Sequence, residues 1–395
     1  MLLEPVDPNE KFRQRRRQAR KRRAIRRTGL LAVVALTAAG VTLGARSLTI
    51  QDQERPAASS RGGSEPTPTE PKPEPRPYPA EMRGVHVTMA LASVEGKLEE
   101  YLDLTRRGLN TVELDIKDEN GEVGFANPAV PLAREVGAVR RYYNPRRAAT
   151  AVHAKGVYLI GRIVCFEDPI LSEGKPSFAI RTPGGDVWRN AAGLGWTNPY
   201  DKRVWKYNVD LAVAAAEAGF DEIQFDYVRF PTDGDVSSAV YDPRTQENKA
   251  KVIAAFLEYA SGRLRPLGVR VSADLFGLAA TRNMGIGQKP SLLARHVDAL
   301  YPMVYPSHFG PGELGVPDPN AQPGRTVALA LRDFDVAMRG SGARLVPWLQ
   351  DFSLGRSYTA QDVRDQIQAA RDAGAEGFML WNAGGVYTAS ALAGA

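Results

Sequence analysis

KRVWKYNVDLAVAAAEAGFDEIQFDYVRFPTDG, residues 202–234, holds one full step from helix to strand. Residues 202–218 read as a helix, and Gly219 just past them is a usual stop signal. DEIQFDYVRF (221–230) then reads as a strand. Ile223, Phe225 and Tyr227 alternate with Gln224, Asp226 and Val228, so in a barrel one set faces the lumen and the other faces away.

The same step recurs on both sides. Upstream, RGVHVTM (83–89), NTVELDIK (110–117) and GVYLIGRIVCF (156–166) read as strands. Downstream, VRVSADLFG (269–277), DALYPMVYPS (298–307), ARLVPWLQDF (343–352) and GFMLWNA (377–383) do so too. Further helices are expected over 94–107, 247–265 and 360–373, followed by Gly108, Pro266 and Gly374. This alternation argues a parallel sheet with crossover helices. Eight such units fit a single (β/α)8 TIM barrel over residues 81–395. An open doubly wound sheet is the alternative. No Gly-x-Gly-x-x-Gly turn follows the first strand, and no cofactor is assigned.

Ahead of the barrel the composition changes twice. Residues 1–27 hold eleven Lys/Arg against three acids, a charge of +8, so the rest of a chain with net charge +6 carries −2. A slightly acidic body argues against a nucleic-acid partner. TGLLAVVALTAAGVTLGA (28–45) is uncharged. At 1.5 Å rise per residue it extends about 27 Å, close to the thickness of a bilayer core. With the basic tail retained in the cytoplasm, the remainder of the chain is expected outside. Two readings stay open. The run is an uncleaved transmembrane anchor, or a signal segment whose cleavage yields a secreted protein; Leu43 fits a small-x-small cleavage site poorly, whereas Arg26-Arg27 resembles a twin-arginine signal. Residues 46–80, rich in Pro, read as an extended linker. The lone Cys165 excludes an internal disulfide.

A barrel of this kind builds its site at the C-terminal ends of its strands. Those ends are rich in carboxylates and aromatics. Glycosidic hydrolysis needs two carboxyl groups flanking the scissile bond, and aromatic faces suit sugar rings. Asp226 is the central candidate: nearby Arg229 is expected to favour its ionised form, which suits a nucleophile or charge stabiliser. Asp274, in the apolar company of Leu275 and Phe276, is a candidate general acid. Glu167 is a third acid candidate, opening a loop (167–200) that holds Trp188, Trp196, Asn198 and Tyr200 and reads as a lid, a sugar subsite or a plain surface excursion. Asp115 and Lys117 share a face and either pair with each other or bind substrate hydroxyls. His86, Arg229, Tyr305, His308, Trp348, Asp351, Trp381 and Asn382 complete the substrate-binding candidates. His86, His153, His296 and His308 form no His-x-His or His-x-x-x-His pair, so no metal is assigned.

RGVHVT (83–88), ELDIKDENG (113–121), GRIVCFEDP (161–169), GFDEIQFDYVRFPTDG (219–234), SADLFG (272–277), PMVYPSHFG (302–310), PWLQDF (347–352) and MLWNAG (379–384) resemble, in order, the motif blocks of a bacterial glycoside hydrolase family. That family is a (β/α)8 barrel distantly similar to the α-amylase-type hydrolases. The resemblance implies a nucleophile at the end of strand 4 and an acid/base at strand 5, which fall on Asp226 and Asp274. An amylase-type enzyme has Glu at the second position, where this chain has Asp. The expectation is therefore a glycoside hydrolase acting on a cell-surface or extracellular polysaccharide, tethered to the membrane through its N-terminal helix. The alternative is a catalytically inactive carbohydrate-binding or wall-associated barrel scaffold.

Overall fold

In a computed structural model, residues 73–392 of the chain are described. The basic tail, the apolar run 28–45 and the linker as far as residue 72 lie outside them. Among the described residues no helix is long and apolar enough to cross a membrane.

Nine parallel strands make the sheet: β1 (Met82–Val87), β2 (Thr111–Lys117), β3 (Tyr158–Val164), β4 (Glu222–Asp226), β5 (Arg270–Phe276), β6 (Ala299–Met303), β7 (Arg344–Leu345), β8 (Trp348–Gln350) and β9 (Gly377–Trp381). β1 pairs with both β2 and β9, and β5 pairs with β6, so the sheet closes on itself. β7 and β8 are two halves of one stave. Both pair with β6, through Ala299↔Arg344 and Met303↔Trp348. The break falls at Pro347, which has no N–H to give a ladder. The nine segments are thus the eight staves of a (β/α)8 barrel.

Five helices of ten or more residues cover the outside among the described residues: α1 (Pro145–Ala154), α2 (Lys202–Ala216), α3 (Lys249–Leu264), α4 (Pro323–Met338) and α5 (Ala360–Asp372). α2 and α5 end at Gly219 and Gly374, both with positive φ. Thr359 and Asp362 form a reciprocal capping box that starts α5. The expected helix over 94–107 is instead a short α-turn, Lys97–Leu102, continued as a 3-10 turn to Arg107.

Odd and even positions of β4 divide the protein into two interiors. Ile223 and Phe225 point to the helices, where Phe225, Phe166 and Trp205 all pack edge-on against Phe256 of α3. Glu222, Gln224 and Asp226 point into the lumen. That lumen is polar, where barrels usually hold layers of Val, Ile and Leu. At its floor, Glu222 accepts hydrogen bonds from Tyr158 and Tyr301. The last linker residues close this floor from below. Tyr78 packs on Tyr158 with ring centroids 5.4 Å apart, between the guanidinium groups of Arg270 and Arg344 at 4.2 and 4.4 Å. The last residues of the stretch 46–80, expected as an extended Pro-rich linker, are therefore in part built into the barrel.

Candidate active site

The expected strand 221–230 stops at Asp226 because Tyr227 turns into the left-handed region, with φ 48°. For a non-glycine residue this costs ~1 kcal/mol or more, and such strain collects at functional sites. The turn brings the Tyr227 N–H onto Asp226 Oδ1 at 2.6 Å. Asp226 Oδ2 accepts from Arg162 Nη2 at 2.6 Å and from Nε at 3.0 Å. Arg162, on β3, also donates to Asp115 Oδ1 on β2 at 2.7 Å. One guanidinium thus holds two carboxylates from the strands on either side of it.

His86 on β1 extends the network. Its Nδ1 lies 2.5 Å from Glu113 Oε2 and its Nε2 lies 3.5 Å from Asp115 Oδ2. Burial alone disfavours the imidazolium, but Asp115 and Glu113 outweigh it and raise the ring to about 9. Tyr387 fixes the backbone of His86, donating to its carbonyl at 2.6 Å and accepting from its N–H at 3.1 Å. Asp115 is held well below the usual carboxylate range: burial opposes ionisation, and His86 and Arg162 override it.

Asp274 on β5 has the opposite character. Burial, then the charges of Asp226 and Glu113, push its carboxyl well above the ordinary range. Its Oδ1 accepts from Gln224 at 2.5 Å and from Trp348 Nε1 at 2.6 Å. Burial also raises Glu113. The site therefore sets two cations, His86 and Arg162, among four carboxyls, with Asp274 and Glu113 pushed up by burial and Asp115 held down by its cationic neighbours. Tyr305 joins from above β6, its hydroxyl pushed up by burial and by Asp274 and Asp226. Trp381 is the partly exposed aromatic here, 4.7 Å from the His86 ring and 5.9 Å from the Arg162 guanidinium. Glu113 Oε1 and Gln224 Oε1 are buried without a hydrogen-bond partner, and orphaned polar atoms in a native core call for an explanation.

The structure thus brings together His86, Asp115, Asp226, Asp274, Tyr305, Trp348 and Trp381. His308 stands beyond Tyr305, partly exposed and 5.4 Å from that ring. The remaining candidates have other partners. Arg229 does not pair with Asp226; it is enclosed by the rings of Trp196, Tyr227 and Phe276 and donates to the Phe230 carbonyl. Lys117 does not pair with Asp115. A register shift between Asp115 and Lys117 turns it out of the lumen, onto Asp168 at 2.7 Å and the Tyr207 ring. Asp351 accepts from the Thr388 N–H and hydroxyl, and Asn382 donates to the Asp351 carbonyl, so both shape the closing loop. Glu167 is fully buried, with Oε2 on Asn190 at 3.1 Å. The loop above it is packed, not open: Trp188, Trp196, Asn198 and Tyr200 are all buried. Arg162, Gln224 and Tyr387 were not chosen from sequence. The signal for Gln224 was present, because it shares its strand face with Asp226. Among the described residues no group of three or more His, Cys, Asp or Glu side chains is arranged to hold a metal ion.

Residues 84–387 match the family described as "Putative glycosyl hydrolase domain". Among curated proteins, no sequence matches the chain. A hypothetical protein from Ruminiclostridium thermocellum ATCC 27405 is 39% identical over 48% of this chain and 96% of that one, with TM-score 0.44. The PgaB (BpsB) glycoside hydrolase domain from Bordetella bronchiseptica superposes with TM-score 0.58 at 15% identity, over 76% of this chain and 94% of that one. A GH20 exo-β-N-acetylglucosaminidase from Vibrio harveyi gives TM-score 0.50 at 14% identity, over 76% of this chain but only 50% of its own. At such identities the last two likenesses concern the fold.

Proposed function

The chain belongs to the glycosyl hydrolase domain family matched over residues 84–387, and from that premise we propose that it hydrolyses glycosidic bonds of a polysaccharide outside the cytoplasm. The observation that carries the reading is the split between two lumen carboxyls. Asp226 accepts on both oxygens, from Arg162 and from a backbone N–H. Asp274 is pushed toward its protonated form, by burial first and by Asp226 next. A pair of carboxyls in unlike environments is what acid-assisted cleavage of an acetal needs. Asp274 gives its proton to the departing glycosidic oxygen. Asp226 faces the positive charge that develops at the anomeric carbon, as nucleophile or as the group that activates water. Trp381 offers the ring face for a sugar, and His86 with Arg162 keeps the carboxylates in place. Asp274, rather than Glu167, takes the acid role because burial and the charge of Asp226 push Asp274 toward its protonated form.

The basic tail and the apolar run 28–45 support delivery of the barrel across a membrane, with retention or release set by whether that run is cleaved. One experiment tests both halves. Cells expressing the full chain, and the purified chain, are given a panel of polysaccharides, and new reducing ends are counted for wild type and Asp226→Asn. Release by intact cells and by purified wild type, lost by about a hundredfold or more in the variant with binding retained, is the expected result. Release by the purified chain alone overturns the placement outside. Glycan binding by both proteins with cleavage by neither gives the scaffold reading in place of the enzyme.

A further inference from the structure

Trp348 looks from sequence like a platform for a sugar ring, yet only 2% of it is exposed. It meets Trp381 edge-on, at 6.0 Å and 87°. What it presents to the site is its indole N–H, aimed at Asp274 Oδ1 at 2.6 Å. Gln224 Nε2 reaches the same oxygen at 2.5 Å from the neighbouring strand. No hydrogen bond within the described residues reaches Oδ2 of Asp274. A carboxylic acid carries its proton on one oxygen, and an oxygen already accepting two N–H donors is the poorer place for it.

We propose that Trp348 and Gln224 are positioning residues for the acid: by converging on Oδ1 they confine the proton of Asp274 to Oδ2 and present it from there to the substrate. The inference rests on the assignment of Asp274 as the acid. The two donors have a second effect. Burial and the charge of Asp226 drive Asp274 up, and the bond from Trp348 pulls it back. A donor that bonds the anion better than the acid keeps the group able to lose its proton at all. Proton placement is then set, and proton affinity moderated, by the same two side chains, which act through Asp274 and not on the substrate.

The test needs no substrate, which separates it from the test of hydrolysis. The chain has five tryptophans, so the indole 15N–1H spectrum of the full chain is sparse, and Trp348→Phe identifies the Trp348 resonance. Between pH 4 and 9 that resonance is expected to titrate with an inflection above the usual carboxylate range. Below the His86 step at about 9, the movement is expected to vanish in Asp274→Asn. In Gln224→Met, which keeps the bulk and removes the donor, the inflection is expected to rise by about one pH unit. A resonance that is flat over this range, one that titrates unchanged in Asp274→Asn, or an inflection that stays or falls in Gln224→Met overturns the proposal. The wild-type and Asp274→Asn comparison decides it even if the Gln224 variant fails to fold. On any glycan that the enzyme cleaves, Trp348→Phe is expected to lower kcat about tenfold with little change in KM; a loss confined to KM would return Trp348 to sugar binding.

Discussion

At Arg162 one guanidinium bonds Asp115 on one side and Asp226 on the other, and at His86 an imidazole lies between Glu113 and Asp115. These cations balance the four carboxyls, Glu113, Asp115, Asp226 and Asp274, at the mouth of the lumen. The balance is pH-dependent with a definite sign. The folded His86 value, about 9, lies above its ordinary 6.5. The proton is thus bound more tightly in the folded state. Its stabilisation is fully present below pH about 6.5 and is lost as pH rises through about 9, with an amplitude on the order of 3 kcal/mol. Thermal unfolding of wild type against His86→Gln across pH 5–10 checks this. The gap is expected to be widest at acid pH and to close on the alkaline side, and a gap that widens with pH would contradict it.

Strands and their register explain both what the sequence disclosed and what it hid. Period-2 alternation on β4 and the glycine after α2 announced that step directly, and the polar residues at the strand ends marked the face where the site sits. Lys117 was misplaced because a register shift is invisible in alternation. Counting by twos from Asp115 keeps Lys117 on the lumen face, whereas one slipped position sends it outward. Arg229 was misplaced because strand order, not chain proximity, chooses a charge partner: Arg162 is 64 residues from Asp226 in sequence but across the ladder in space. Lys117 and Asp168 are both fully buried, so removing one leaves the other uncompensated. Lys117→Met is expected to lose about 3–5 kcal/mol of stability in denaturant unfolding. A loss below about 1 kcal/mol would mean that the pair does not anchor this edge of the barrel.

Taken whole, the molecule has a floor and a mouth with different chemistry. The floor is sealed by Tyr78 and the tyrosines around Glu222. The mouth gathers the charged network under Trp381. Eight staves and their order followed from sequence pattern; the pairing of side chains across the lumen did not, since it depends on the stagger that closure imposes. The central claim is that Asp274 supplies the proton opposite Asp226. It is tested most directly by the rate of reducing-end release, on one glycan, by wild type and Asp274→Asn from pH 4 to 9. The account predicts a bell for wild type with its alkaline limb above the ordinary carboxylate range, and for the variant a fall of about 10²–10⁴ with that limb gone. A variant that cleaves as fast as wild type with the same profile would contradict it.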